Sequence, residues 1–500
     1  MSSRVRFGAN YTPSRGWFHH WLDFDLDAVR ADLDSVAALG LDHVRVFPLW
    51  PVFQPNRTLI RPRAVEQLVQ LADAAAERGL DVNVDGLQGH LSSFDFLPSW
   101  TQTWHRRNIF TDPDVVAGQA AYLRTLAQAL ADRPNFIGMT VGNEVNQFSA
   151  GPHPDPDRIT PAQAEHWLGV LLAACEEGAP GRLHLHAEYD AAWYQDDQPF
   201  TPVHSARLGA VTAVHSWVFN GTAQRHGRTG TATEHHAAYL VELSKAWADE
   251  PRRPVWLQEV GAPAPLVPAE HAAAFTEATV ANVLDCEDLW GVTWWCSHDV
   301  SRSLADFPEL EYSLGLMTSD REAKPIGRAI ARIVREQRER PHRPAPRTTA
   351  LVVDAGDEAT APRRSVCAPG GAVFEAFARL TADGVRPAAV LAGRADDPGH
   401  LAARASPRWS PRTRSDDLPD HRRPPPAAGS REPRAAPVPP PGASADPAAL
   451  GPGRARRPAT GHGTPPGPAL PVPPPIVRPA AERPLPHRTV PRQPPTRSTP

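Results

Sequence analysis

Two glutamates in this chain each stand at the end of a short apolar run. Phe136-Ile137-Gly138-Met139-Thr140-Val141-Gly142 leads into Asn143-Glu144, and Pro254-Val255-Trp256-Leu257-Gln258 leads into Glu259. Runs of this length and composition, bounded by Pro134 and Pro254, read as buried strands that deliver a polar group at their carboxyl ends. Two facing carboxylates can protonate a leaving oxygen with one group and attack the bonded carbon with the other, which is the chemistry that cleaves glycosidic bonds. Either glutamate alone is more simply read as a salt-bridge partner; the pair carries the functional reading.

Other residue types point the same way. Arg45, in Asp42-His43-Val44-Arg45-Val46-Phe47, could hold a neighbouring carboxylate ionised, since a guanidinium lowers carboxylate pKa values; a structural ion pair would use the same residue type. His215 and Trp217 follow one predicted strand and Trp294-Trp295 end another. A third strand runs into Asp85-Gly86-Leu87-Gln88-Gly89-His90, with Trp100 and Trp104 beyond it. Asn10, Tyr11, Trp17, Trp50 and Trp193 also fall in predicted mouth loops, and several aromatics at one rim would suit a sugar cleft. A competing pattern is His184-Leu185-His186-Ala187-Glu188, where alternate residues share one strand face and could hold a divalent metal. That reading makes the protein a metal-dependent barrel hydrolase or isomerase.

These residues need a frame that gathers strand ends. From the N-terminus to about residue 340, short apolar runs alternate with longer helical ones, the signal of repeated βα units. Strands are predicted near 5–10, 42–47, 80–85, 136–143, 183–187, 211–215, 254–259 and 289–295. Asp112-Pro113 and Thr160-Pro161 read as N-caps with proline at the first helical position, and Gly40, Gly79 and Gly178 as helix stops. Eight such units predict a (β/α)8 barrel, which collects its chemistry at the strand carboxyl ends. A doubly wound open sheet is the alternative, but no glycine-rich phosphate loop follows the first strand.

Composition bounds the rest. Among 500 residues the formal net charge is −4, which gives no general attraction for nucleic acid or an anionic membrane surface. Neither partner is expected. The four cysteines, Cys175, Cys286, Cys296 and Cys367, lack metal-like spacing and read as free buried thiols. Met1 to Gly8 passes into strand-like sequence without the apolar core of a secretory signal, so a cytoplasmic location is expected. Residues 341–404 hold two strand-like runs and one helix, as though a small second domain were beginning. From 405 to 500 proline, arginine and alanine dominate, and no apolar surface could offset chain entropy, so this stretch is expected to be disordered. In a chain whose only lysines are Lys245 and Lys324, this abrupt change also resembles a frameshift in a GC-rich gene.

The arrangement Gly142-Asn143-Glu144 with Gln258-Glu259, over roughly residues 5–335, resembles the glycoside hydrolases of clan A and most closely family 5. The resemblance implies a retaining double displacement with Glu144 as acid/base and Glu259 as nucleophile, and no cofactor. It implies substrate contacts from Arg45, Asn143, His90, His215, Trp217 and Trp295. Asn143 would bond the sugar 2-hydroxyl and Trp295 would floor the reactive subsite. At position 217 the family has tyrosine, whose hydroxyl serves the nucleophile; here an indole N–H would have to serve. Asn10-Tyr11-Thr12-Pro13-Ser14-Arg15-Gly16-Trp17 and Gly142-Asn143-Glu144-Val145-Asn146 are most similar to actinobacterial β-mannosidase-like members. An exo-β-mannosidase acting on short β-mannosides of N-glycan core type is therefore expected, with an endo-β-mannanase or β-glucanase as the alternative.

Overall fold

A computed structural model describes residues 4–404, apart from Gly89 and His105, together with the short strand Thr413–Arg414. Eight parallel strands make up the central sheet: β1 (Arg6–Asn10), β2 (His43–Val46), β3 (Asp81–Leu87), β4 (Phe136–Asn143), β5 (Leu185–Ala187), β6 (Thr212–Ser216), β7 (Val255–Val260) and β8 (Leu289–Trp294). Their order is β5-β4-β3-β2-β1-β8-β7-β6. At the remaining seam, between β5 and β6, the Ala210 amide donates to the His184 carbonyl at 2.8 Å. The result is a nearly closed (β/α)8 barrel, as the alternating pattern predicts, and all eight predicted strands are found within two residues of their expected ends.

The helices that follow each strand are α1 (Leu26–Ala38), α2 (Pro62–Ala76), α3 (Pro113–Leu130), α4 (Pro161–Gly178), α5 (Pro202–Arg207), α6 (His236–Ala246), α7 (Ala269–Leu284) and α8 (Pro325–Glu339). Their starts are chemically marked. Asp112 accepts from the amides of Asp114 and Val115, and Thr160 with Gln163 closes a reciprocal capping box, satisfying amides that the helix itself leaves unpaired. Gly40 and Gly79 take the left-handed conformation expected of helix stops, with φ of 79° and 68°. Gly178 does not. It is the last residue of α4, and a Cβ there would lie 2.6 Å from the Arg124 carbonyl and 2.8 Å from the Ala127 Cβ, so it permits close contact with α3.

Period-two alternation divides the strands. Val44, Val46, Val82, Val84, Met139, Val141, Val214 and Leu257 join the layer between sheet and helices, where a buried aliphatic side chain contributes about 1.5–3 kcal/mol. The opposite parity fills the barrel. Leu185, Ala187, Val211, Ala213 and Trp256 form a small apolar plug, and His43 bonds Thr293 across it at 2.8 Å. Gly8 makes room for that imidazole, since a Cβ would fall 2.3 Å from its ring.

Beyond the barrel, β9 (Thr349–Val353) pairs in parallel with β10 (Pro387–Leu391) and β11 (Thr413–Arg414), and α9 (Ala372–Ala382) lies between β9 and β10 in sequence. This small sheet packs on α6. Every residue of α6 is buried, as expected of a helix covered on both sides. Its polar groups are paired: Tyr239 donates to the Cys367 carbonyl at 2.6 Å, and Glu242 meets Arg347 at 3.3 Å and Arg404 at 2.8 Å. All four cysteines are free and buried. Apart from Thr413–Arg414, the stretch expected to be disordered, 405–500, lies outside the described residues.

Candidate active site

At the carboxyl ends of the strands, Arg45 is the hub. Fully enclosed, it donates from Nη1 to Glu259 Oε1 at 2.6 Å and to Asn10 Oδ1 at 3.2 Å. From Nη2 it reaches Asn143 Oδ1 at 2.8 Å, and from Nε Asp85 Oδ2 at 3.2 Å. Its charge cannot be lost at any working pH, so two buried carboxylates share one permanent cation. Burial pushes Asp85 up to about 6 against the pull of Arg45. Asn143 spends one amide hydrogen on the His90 carbonyl at 3.0 Å, which leaves the other free for a ligand.

Glu144 follows β4 directly, with φ 46° and ψ 37°. A non-glycine residue in this left-handed region is strained by about 1–3 kcal/mol and persists only where its surroundings enforce it. Here its amide donates to the Ala187 carbonyl at 3.2 Å, turning the carboxylate inward toward His215. His215 Nδ1 lies 2.8 Å from Glu144 Oε1 and 3.5 Å from Glu259 Oε2. One ligating atom each from Glu144, His215 and Glu259 fall within 4.8 Å of one another.

A chain of hydrogen bonds fixes the protonation of that imidazole. The Gly138 carbonyl can only accept, and it receives Asn83 Nδ2 at 2.8 Å. Asn83 Oδ1 therefore accepts from Thr140 Oγ1 at 2.8 Å, and Thr140 Oγ1 accepts from Gln258 Nε2 at 3.0 Å. Gln258 Oε1 is left to accept from His215 Nε2 at 3.3 Å. Nε2 thus carries hydrogen, and Nδ1 faces Glu144 across a single shared proton.

Electrostatics place that proton. Burial opposes the imidazolium, but the Glu259 charge and the Glu144 bond outweigh it and raise the His215 pKa above its ordinary value. For Glu144 burial is outweighed by the bond and charge of His215, and its pKa is lowered. Gln147 Nε2 holds the other Glu144 oxygen at 2.7 Å. Burial raises Glu259, with Glu144 adding and His215 and Arg45 opposing. The cluster titrates as a unit.

Trp217 Nε1 donates to Glu259 Oε2 at 3.3 Å, so the indole takes up the position that a tyrosine hydroxyl would have served. Its larger ring needs space, and Gly261 supplies it: a Cβ there would lie 2.9 Å from the indole. Trp217 stacks on Phe219 at 5.1 Å. Trp295 packs edge-on against Phe47 at 5.6 Å, and His90 is tied through Nδ1 to Asp95 at 3.3 Å.

The structure therefore brings together Arg45, His90, Asn143, Glu144, His215, Trp217, Glu259 and Trp295. It corrects two expectations. His184, His186 and Glu188 have the parity opposite to the barrel interior: His184 accepts the Met139 amide at 3.1 Å and bonds the Ala179 carbonyl at 2.8 Å, while His186 pairs with Glu188. Among the described residues, Glu144, His215 and Glu259 are the only three such side chains whose ligating atoms converge. The aromatics expected at the rim are not open to solvent: Tyr11, Trp17, Trp50 and Trp193 are buried, and Trp50 spends its N–H on Gln54; among the described tryptophans Trp104 stands out as exposed, at 98 %.

Some carboxylates beside the site are not marked in the sequence as candidates. Asp85 was discoverable, because Asn83 and Asp85 share the inward parity opposite Val82 and Val84. Asp190 follows β5, accepts from Asn220 at 3.0 Å and is pushed up to about 7, chiefly by burial. Neither Asp190 nor Glu311, in the loop after β8, lies in a periodic pattern that would have marked it.

No protein-family model matches the chain, and no curated protein does. Solved structures do. The chain is 76 % identical to a GH5_18 enzyme from Streptomyces cattleya, with a TM-score of 0.81 over 83 % of this chain and 99 % of that one, and that structure holds Manβ1-4GlcNAc in a glutamate-to-alanine variant. It is 45 % identical to GH5_18 from Bifidobacterium longum subsp. longum ATCC 55813, with a TM-score of 0.79 over 83 % and 98 % of the two chains. An exo-β-1,4-mannosidase from Opitutaceae bacterium strain TAV5, at 23 % identity and a TM-score of 0.65, shares the fold. With the likenesses to the two GH5_18 enzymes and the paired strand-end glutamates, the chain belongs to glycoside hydrolase family 5 and is an O-glycosyl hydrolase.

Proposed function

We propose that the protein is a retaining exo-β-mannosidase acting on short β-mannosides such as Manβ1-4GlcNAc, the ligand held by its Streptomyces relative. The observation that carries the mechanism is the approach of Glu144, His215 and Glu259 oxygen and nitrogen atoms to within 4.8 Å. Retaining enzymes hold their two carboxyl groups about 5–5.5 Å apart, too close for a water between carboxylate and sugar. The roles follow from the partners. Glu259 leans on Arg45, whose charge and hydrogen bond oppose the upward push of burial, and attacks the anomeric carbon as the carboxylate. Glu144 shares a proton with His215 and can deliver it to the departing glycosidic oxygen. The carbon–oxygen bond to the aglycone breaks as the bond to Glu259 forms. Glu144 then removes a proton from water, whose oxygen attacks the same carbon and releases Glu259. The free Asn143 amide hydrogen serves the sugar 2-hydroxyl, and the indole of Trp295 floors the reactive subsite.

A panel of p-nitrophenyl β-glycosides, with mannobiose, mannotetraose and cellobiose, tests the substrate. Fastest turnover of β-mannosides, with single mannose units released from the tetraose, is expected; internal cuts point instead to an endo-β-mannanase, and preference for cellobiose to a β-glucanase. Glu259→Ala should lose activity and regain it with azide as an inverted glycosyl azide. Glu144→Ala should keep turnover mainly on substrates with good leaving groups. Exchanged rescue patterns reverse the two roles. A cytoplasmic role in trimming short oligosaccharides is part of this proposal, and cell fractionation tests it.

A further inference from the structure

One carboxylate at the barrel mouth belongs to neither strand-end pair. Glu311 lies in the 3-10 turn Glu309–Ser313, in the loop between β8 and α8. Ser92 Oγ, at the tip of the hairpin formed by His90–Leu91 and Phe94–Asp95, donates to Glu311 Oε2 at 2.9 Å. The Trp295 side chain lies beside the same carboxyl group and favours its ionised form. Glu311 thus stands next to the floor of the site, held there by the loop after β3.

The wall behind it is aromatic and comes from three loops. Trp17, from the loop after β1, lies 5.7 Å from Phe94, 5.7 Å from Phe96 and 4.8 Å from Phe307, and Phe94 meets Phe307 at 4.9 Å. Ser92 and Ser93 both hold positive φ, 50° and 72°, a conformation costly for residues other than glycine. The strain brings the Ser92 hydroxyl onto Glu311. Burial, with the Glu259 charge adding and the Ser92 and Trp295 donors opposing, pushes the Glu311 carboxyl up to about 7.

The neighbours also fix the side of the cleft. Ser92, which holds Glu311, lies two residues after His90, whose carbonyl accepts from Asn143 at 3.0 Å, so Glu311 stands on the side of the residue assigned to the sugar 2-hydroxyl, whereas Glu144 is assigned to the leaving oxygen. A carboxyl group offers about four acceptor positions; Ser92 takes one. We propose that Glu311 binds hydroxyl groups of the sugar on the glycone side, making it a specificity residue for the ring that Glu259 attacks. This rests on the glycosidase reading of the same site, and the glycone hydroxyls are its ligand.

The test is a cycle between enzyme and substrate. Wild type, Glu311→Gln and Glu311→Ala are assayed on the aryl β-glycoside that the wild type hydrolyses fastest and on its 2-, 3-, 4- and 6-deoxy analogues, with thermal melts to confirm folding. On the parent glycoside kcat/KM should fall about 10- to 100-fold in Glu311→Ala, the effect of losing a hydrogen bond to a charged group. For at least one deoxy analogue the difference between wild type and variant should vanish. An equal loss on the parent and all four analogues overturns the proposal and leaves Glu311 as a brace for Trp295. If Glu311→Ala fails to fold, Glu311→Gln is read by the same criterion. Preference for an aryl glycoside other than the mannoside would refute the β-mannosidase reading while the cycle still decides Glu311.

Discussion

At the scale of single residues, the proton on His215 is governed from a distance of four hydrogen bonds. The peptide carbonyl of Gly138 sets the direction of the Asn83, Thr140 and Gln258 side chains, and Gln258 sets the tautomer. Activity needs Glu259 ionised and the Glu144–His215 pair protonated once. Since the Glu259 pKa is raised, rate should fall on the acid side as Glu259 takes up a proton; since that of His215 is raised, it should fall on the alkaline side as the pair loses its proton. The profile is bell-shaped. Gln258→Leu removes the acceptor from Nε2 and destabilises the imidazolium, so the alkaline limb of kcat/KM should move down by ~0.5–1 pH unit while the acid limb moves less. An unmoved alkaline limb would show that Gln258 does not govern His215. In sequence, Gln258 was visible only as the residue before a glutamate, because its role depends on partners from β3, β4 and β6. Glu144 and Glu259 could be read because each ends an apolar run, and Arg45 because its strand resembles the family's second.

At the scale of elements, the strands are legible because burial on both faces leaves short apolar runs that little else imitates. The loops are not. Tyr11, Trp17, Trp50 and Trp193 stood where a rim was expected, and tertiary packing drew them inward; large aromatic area is more stable buried than lining water. The substitution at position 217 shows how one element accommodates another. The indole reaches Glu259 because the residue after β7 has no side chain. Gly261→Ala should push the ring off the nucleophile, since its Cβ would lie 2.9 Å from the indole and 3.0 Å from the Trp295 carbonyl. A loss of ~1–3 kcal/mol in stability is expected for such overpacking, and kcat/KM should fall with it. Combining Gly261→Ala with Trp217→Tyr should recover part of both, because the smaller ring vacates the space. No recovery would mean that Gly261 serves the backbone alone.

For the whole molecule, the segment after the barrel is joined to it through α6. Burial disfavours the Glu242 carboxylate, but Arg347, Arg404 and Lys245 outweigh it and hold its pKa down to about 2. A carboxylate with a depressed pKa adds stability that is complete above its ordinary value of about 4.5 and is lost as pH falls toward 2. Glu242→Ala strands two buried guanidinium groups and should cost ~3–5 kcal/mol at neutral pH, with the difference from wild type narrowing below pH 4. Denaturant unfolding monitored at both pH values checks this. Composition hinted at a second unit after residue 340, yet it could not show that this unit covers a barrel helix, since α6 reads in isolation as a short apolar run.

The enclosure of α6 also bears on how the protein is made. This helix is the sixth of eight in the barrel, but the arginines that neutralise Glu242 and the carbonyl that receives Tyr239 are at positions 347, 404 and 367. While the chain is being synthesised, the barrel strands are complete before any of these has left the ribosome. Until then the Glu242 carboxylate has only Lys245 of its own helix to answer it and the apolar face of α6 is uncovered, so the nascent barrel must wait about a hundred residues with its sixth helix half dressed.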